Sequence, residues 1–386
     1  MKKICCLVAL IFAFAKPQAQ YRVVFKLINS PSSHKGDSVF IAGNFNGWNP
    51  GNAEYSFSFN SGNMLQLSTQ LAAGNYEYKF TRGSWQKVEV KNDGSDIGNR
   101  FLQLLSDTAI EINIDAWKDD FAPVERRHTA SSNVRVMDTA FFMPQLNRAR
   151  KIWIYLPGDY AKSKKRYPVL YMHDGQNLFD EYTSGYGEWG VDECLDSLIA
   201  KGKPACIVVG IENGPQRFNE YNPFYFERFG NGEGDAYLAF LTETLKPYID
   251  KRYRTLASKE NTLIAGSSMG GLISYYAMLK RPDIFGKAGI FSPAFWTAVA
   301  VKPLTDSLAG KMNGKFFFYM GGKEGGSYIQ DMLDVQESIG ERSSAMIYSL
   351  IHPDSMHNEQ AWRKWFAEFY NWIMADGFNY VVKTKE

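Results

Sequence analysis

One short segment carries most of the chemistry this chain could perform. Thr262-Leu-Ile-Ala-Gly266-Ser267-Ser268-Met269-Gly270-Gly271 contains the single Gly-x-Ser-x-Gly of the sequence, centred on Ser268. Ser267 does not fit the pattern, because Ala265 and Met269 flank it at the two glycine positions. The apolar residues before the motif read as a buried strand, and those after it open a helix. The glycines permit a sharp turn that exposes the serine oxygen at the carboxyl end of the strand. The first free N–H groups of the helix then point toward an oxyanion forming at that oxygen. That is the chemistry of an acyl-transferring nucleophile.

Such a serine needs a base, and the chain has five histidines. His34 and His128 lie far upstream, and His173 ends an earlier strand. His352 and His357 follow the last apolar strand, which suits the order nucleophile, acid, histidine. His357, in the loop Pro353-Asp-Ser-Met-His357-Asn-Glu ahead of the final helix, is expected to be the base. His352, at the strand end, is expected to be structural. The acid should lie between serine and histidine. Gly321-Gly-Lys-Glu324-Gly-Gly follows an apolar strand and makes Glu324 the first choice, with Asp354 the alternative. The N–H of Gln176, in Tyr171-Met-His-Asp-Gly-Gln176-Asn177, is expected to join that of Met269 as an oxyanion donor. Trp189, Asn219, Tyr221 and Trp296 fall on loops expected around the mouth, as candidate substrate contacts. This chemistry needs no cofactor and no metal, and no histidine/carboxylate cluster shows ligand spacing.

The elements that must position these groups alternate in type. From residue 134 to 376, apolar strands (Lys151–Leu156, Tyr167–Met172, Ala205–Ile211, Thr262–Ala265, Ala288–Phe291, Phe316–Met320 and Met346–Ile351) alternate with amphipathic helices (Asp235–Tyr253, Gly271–Lys280 and Glu359–Met374). That grammar predicts an α/β domain with a mostly parallel sheet covered on both faces. Residues 377–386 read as a tail.

Residues 21–117 read differently, as short strands punctuated by Asn46-Gly47, Ser61-Gly62 and Asp93-Gly94, which predicts a small all-β, immunoglobulin-like sandwich. A polar, unpatterned stretch at 118–133 reads as a linker. Ahead of both, Lys2 and Lys3 precede a twelve-residue apolar run, Ile4 to Ala15, and a polar exit. Residues 1–20 therefore read as a secretory signal peptide, too short for a permanent span, and the protein as periplasmic or secreted. Cys5 and Cys6 would leave with it, and Cys194 and Cys206 are expected as unpaired thiols.

With 43 Lys+Arg against 41 Asp+Glu, the 386-residue chain carries a formal charge of +2. Residues 1–20 hold three lysines and no acid, so without them the balance is close to −1. Neither value offers the basic excess that nucleic acid requires. A 45% hydrophobic, 22% charged composition also excludes a disordered chain.

The stretches Ile154-Tyr-Leu-Pro157, Tyr167–Asn177, Gly266–Gly271, Phe291-Ser-Pro-Ala-Phe-Trp296 and His357-Asn-Glu-Gln-Ala-Trp362 resemble the putative-esterase family of α/β-hydrolases. Feruloyl, acetylxylan and enterochelin esterases belong to it. The resemblance implies Ser268 as nucleophile, His357 as base, Glu324 as acid, and Gln176 and Met269 as oxyanion donors. Where relatives often carry a Gly-Thr-Asn-Asp-like turn, this chain has Gly-Gly-Lys-Glu. The earlier region resembles glycogen- and starch-binding early-set modules through Gly43-Asn-Phe-Asn-Gly-Trp48-Asn, Tyr78-Lys79-Phe80, Gly83-Ser-Trp85 and Gly98-Asn99-Arg100. That resemblance implies glucan contacts at Trp48, Lys79, Trp85 and Asn99; the other reading is a spacer with both tryptophans in its core. The function implied is removal of acetyl or hydroxycinnamoyl groups from a polysaccharide ester. The alternatives are a siderophore trilactone esterase and a glycan-binding protein with an idle hydrolase domain.

Overall fold

A computed structural model describes residues 19–122, 126–227 and 229–375, together with the backbone of 381–384. The signal-peptide reading of residues 1–20 falls almost wholly outside these. The chain forms two compact units, dividing between residues 123 and 124.

In the first unit, Gln20–Asn29 pairs antiparallel with Leu65–Ala72 and parallel with Thr108–Asn113. A second sheet orders Phe40–Gly43, Gly74–Thr81 and Arg100–Leu104. Alternate residues of both sheets (Val23, Phe25 and Leu67 from one; Ile41, Phe80 and Leu104 from the other) fill a single core. Within the region read as short strands, the segment 85–90 is a 3-10 turn, Trp85–Lys87, followed by the short strand Glu89–Val90. Residues 118–120 close this unit with a further 3-10 turn.

The second unit is built on a nine-stranded sheet. Its strands are β1 (Val134–Met143), β2 (Arg148–Tyr155), β3 (Val169–His173), β4 (Ile207–Ile211), β5 (Thr262–Ser267), β6 (Lys287–Phe291), β7 (Lys315–Gly321), β8 (Met346–His352) and β9 (Val381–Thr384). Their spatial order is β1-β2-β4-β3-β5-β6-β7-β8-β9. β1 and β2 run antiparallel to their neighbours, and all the remaining pairs are parallel. The helices are α1 (Val191–Ala200), α2 (Arg217–Glu220), α3 (Gly234–Ala239), α4 (Lys246–Arg252), α5 (Met269–Lys280), α6 (Val301–Leu308), α7 (Tyr328–Arg342) and α8 (Glu359–Met374). Two apolar clusters, one on each face, bury the central strands completely. The sheet order reverses direction between β3 and β5, where an open α/β sheet leaves a crevice at the strands' carboxyl ends.

The structure corrects three boundaries. β1 is a largely exposed edge strand, so its sequence lacks the apolar run that marks the interior strands. The expected tail holds β9, paired with β8. The second half of the expected linker is strapped to the second unit: Thr129 N–H donates to Asp180 (3.1 Å), Ser131 N–H to Asp192 (2.6 Å) and the Asn133 amide to Asp196 (2.8 Å). The helix expected at Asp235–Tyr253 is interrupted by a π segment, Phe240–Leu245, between α3 and α4. Pro247 sits in the first turn of α4, and its ring would clash with the carbonyl four residues back, inside that widened segment. Among the described residues no helix is long and apolar enough to cross a membrane. Cys194 and Cys206 are unpaired, and burial pushes their thiols up to about 11 and about 12.

Candidate active site

Ser268 stands between β5 and α5 with φ 58° and ψ −119°, a conformation that non-glycine residues avoid. Three backbone hydrogen bonds hold it there. Its N–H donates to Phe291 O (2.9 Å), and its carbonyl accepts from Leu272 (3.0 Å) and Ala294 (3.0 Å). The preceding glycine is obligatory: a Cβ on Gly266 would lie 2.8 Å from the Gly270 carbonyl carbon and 2.9 Å from the His173 ring. Met269, the first residue of α5, places its N–H at the helix N-terminus beside this serine.

Glu324 and His357 come from the loops after β7 and β8, and these loops are zipped together. Gly322 N–H donates to His352 O (2.7 Å) and Lys323 N–H to Ser355 O (3.0 Å). A Cβ on Gly321 would lie 2.4 Å from Ser355 O, so this close approach accounts for glycine in the Gly-Gly-Lys-Glu turn. His357 Nδ1 and Glu324 Oε2 are 2.8 Å apart. Glu324 is 4% exposed, and its other oxygen accepts from Ser292 Oγ (2.6 Å) and Gly321 N–H (2.7 Å). Each oxygen of this buried carboxyl is thus matched by a hydrogen-bond partner. Asp354, the alternative acid, is exposed and pairs with Lys323 at 3.0 Å. His352 contacts Ser355 Oγ (2.9 Å) and the Trp365 ring, away from the acid.

Ser292 was not singled out in the sequence, although the stretch containing it was. It has φ 43°, donates to Glu324, and accepts from the Trp362 indole at 3.0 Å. Trp362 in turn sets its ring edge-on to His357, with centroids 5.1 Å apart. The loop following β6 therefore serves both partners: Ser292 bonds the acid, Ala294 bonds the Ser268 carbonyl, and Thr297 reaches the Met269 sulfur (3.6 Å).

Gln176 lies in the 3-10 turn Gly175–Asn177 after β3, the strand paired with β5. Its side-chain oxygen accepts from Asn213 N–H (3.2 Å) and its carbonyl from Thr183 (2.8 Å). Beneath the turn, Asp174 receives two bonds from Arg217 (2.6 and 2.8 Å) and one from Asn213 (2.5 Å). Burial pushes the Asp174 carboxyl up, but Arg217 and Asn213 together hold it below the usual range. His173, fully buried against Tyr237, is pushed down to about 4 by desolvation and stays neutral. Glu359, at the start of α8, is pushed up to about 7, chiefly by burial, with Asp174 raising it further and His357 and Arg217 opposing.

Two of the expected mouth residues are corrected. Trp189 is 2% exposed and packs against Phe291, Trp362 and Phe366, and Tyr221 is fully buried against His173 and Tyr237. Both are core residues, because large rings gain most when taken from water. Asn219 falls in α2 rather than on a loop, and its amide donates to Phe229 O (2.7 Å) and Asn231 O (3.1 Å) of the segment that follows. Trp296 is half-buried, stacked on Tyr328 and edge-on to Phe226, which itself stacks with Phe229. Tyr182, Tyr186, Tyr225 and Val299, on the loops after β3, β4 and β6, are exposed apolar groups.

In the first unit, Trp48 and Trp85 are half-buried neighbours with centroids 6.3 Å apart, outside the core that Trp117 joins. Lys79 pairs with Asp96, and the Asn99 amide donates to Glu77 (2.8 Å).

The model of the family described as "Putative esterase" matches residues 144–369. The uncharacterized protein YbbA of Bacillus subtilis is 27% identical over 241 residues, covering 58% of this chain and 92% of its own length. An endo-1,4-beta-xylanase/feruloyl esterase of Xylanibacter ruminicola is 28% identical over 233 residues; these cover 59% of this chain but only 30% of that enzyme. The enterobactin esterase of Shigella flexneri, solved in the presence of enterobactin, shares the fold with a TM-score of 0.54 at 15% identity, over 92% of each chain. The family match spans more than half of the sequence and includes every element around Ser268, and the chain therefore belongs to the putative-esterase family of α/β-hydrolases.

Proposed function

We propose that this protein is an exported serine esterase that cleaves hydroxycinnamoyl or acetyl esters from a polysaccharide. The observation that carries the reading is the 2.8 Å contact between His357 Nδ1 and buried Glu324, on loops beside the strained Ser268 turn. His357 takes the Ser268 proton through Nε2 as the serine oxygen attacks the ester carbonyl. Glu324 fixes the ring and stabilises its charged form. The N–H groups of Gln176 and Met269 receive the oxyanion, each such donor being worth ~2.7–4 kcal/mol. The proton then passes from His357 to the departing sugar oxygen, and water, deprotonated by the same histidine, releases the acid.

The aromatic rim of Phe226, Phe229 and Trp296 favours an aromatic acyl group over acetyl, since ring faces and edges pair well with a planar cinnamoyl ring. The X. ruminicola relative, named for feruloyl esterase activity, supports the same choice. A siderophore ester fits less well: a catecholate substrate is anionic, whereas Arg217 beside the turn is already neutralised by Asp174.

Ser268→Ala should lower hydrolysis of methyl ferulate and p-nitrophenyl acetate by ~10⁴-fold or more with an unchanged circular dichroism spectrum. His357→Ala should be nearly as damaging, and His352→Ala nearly silent. Retained activity in Ser268→Ala would remove the mechanism. Faster turnover of enterobactin than of methyl ferulate or acetylated xylan would replace the substrate class.

A further inference from the structure

A cluster of three acids in the second unit lies outside this catalytic machinery. Glu188, Asp192 and Glu193 each offer an oxygen, and these oxygens lie within 4.8 Å of one another. The sequence, read for ligand spacing, gave no sign of the group; the turn at Gly190 (φ 61°) folds Glu188 back onto the first turn of α1. Glu188 is 8% exposed and Asp192 not at all. Glu188 Oε1, Asp192 Oδ1 and Glu193 Oε2 are buried without a hydrogen-bond donor.

The remaining contacts do not balance the charge. Glu188 Oε2 pairs with Arg363 Nη1 at 3.1 Å, Thr129 lies beside Glu188, and Asp192 Oδ2 accepts from the Ser131 N–H at 2.6 Å. One guanidinium faces three crowded acids, and burial with the neighbouring acids pushes Glu188 up and Glu193 up to about 7. The start of α1 favours acids there, but a helix end supplies only about half a charge. Three carboxyl groups that bring oxygens within 4.8 Å of one another, with a buried oxygen left unpaired on each, offer the hard donor set that a divalent cation takes. An all-oxygen donor set excludes the softer metals. Calcium suits it better than magnesium, because calcium accepts irregular geometry and gives up its waters more readily.

We propose that Glu188, Asp192 and Glu193 form a structural calcium site. The ion would tie the loop before α1, α1 itself and the strap at Thr129–Ser131 to α8 through the Glu188–Arg363 pair. α8 starts two residues after His357 and carries Trp362 against its ring, so the ion would stiffen the seat of that histidine without touching substrate.

The test is thermal unfolding of the full-length mature protein, stripped with chelator, in EDTA, in millimolar CaCl2 and in millimolar MgCl2, paired with calorimetric titration of CaCl2. Saturating calcium should raise Tm by roughly 5 °C over EDTA, and magnesium by less. Asp192→Asn/Glu193→Gln should abolish both the heat of binding and the calcium response, while being no less stable than wild type in EDTA. Equal Tm in EDTA and CaCl2 with no heat of binding would overturn the proposal. So would a Tm that ignores calcium but climbs as pH falls, the signature of a proton shared between Asp192 and Glu193. Should the double variant fail to fold, the wild-type comparison still decides.

Discussion

At the scale of single residues, the site depends on strain and on buried polar groups that answer one another. Ser268 and Ser292 both hold positive φ, and each is fixed by hydrogen bonds to the opposite loop. Ser292 is a positioning residue: it orders Glu324, which orders His357. Removing its hydroxyl leaves Glu324 Oε1 with the Gly321 N–H alone and frees the Trp362 indole. A hydrogen bond to a charged group is worth about 1.5–3 kcal/mol, so Ser292→Ala should lower kcat by roughly ten- to a hundredfold while KM hardly changes. Ser292→Cys, which keeps a donor without branching at Cβ, should recover part of the loss. A fall in Tm with an unaltered kcat would instead make Ser292 a packing residue.

At the scale of elements, the loops after β7 and β8 and the first turn of α8 form one assembly around His357. Glu359 is its electrostatic weak point. Its carboxyl is raised to about 7 from an ordinary 4.5, so the folded state holds its proton more tightly than the unfolded state. Stability from this group is therefore complete below about pH 4.5 and is lost as pH rises through 7. Glu359→Gln should raise unfolding stability by roughly 1–3 kcal/mol at pH 8 and change little at pH 4, read by urea denaturation at both values. An equal effect at both pH values would mean that Glu359 acts through packing rather than through its charge.

For the whole molecule, the open question is the task of the first unit. Trp48 and Trp85 lie side by side outside its core, which removes the reading that both are core residues. Paired indole faces at a surface are suited to stacking on sugar rings. The mature protein should be retarded in native gels containing glycogen, starch or xylan, and Trp48→Ala/Trp85→Ala should migrate freely without loss of methyl ferulate hydrolysis. Unretarded migration on all three would leave the unit a spacer.

The sequence by itself determined the order of strands and helices, the strand–turn–helix around Ser268, and the residue types a triad requires. These are local matters: apolar period, glycine at a forced turn, a histidine after the last interior strand. It overreached where burial decides. Trp189 and Tyr221 read as loop residues open to substrate, yet tertiary packing puts both inside. The edge strands β1 and β9 escaped notice because an edge needs no continuous apolar run. Ser292, and the acids at 188, 192 and 193, had no local pattern to mark them. Their partners are 32 residues away for Ser292 and 175 for Glu188, so only the folded chain could bring those charges and donors together.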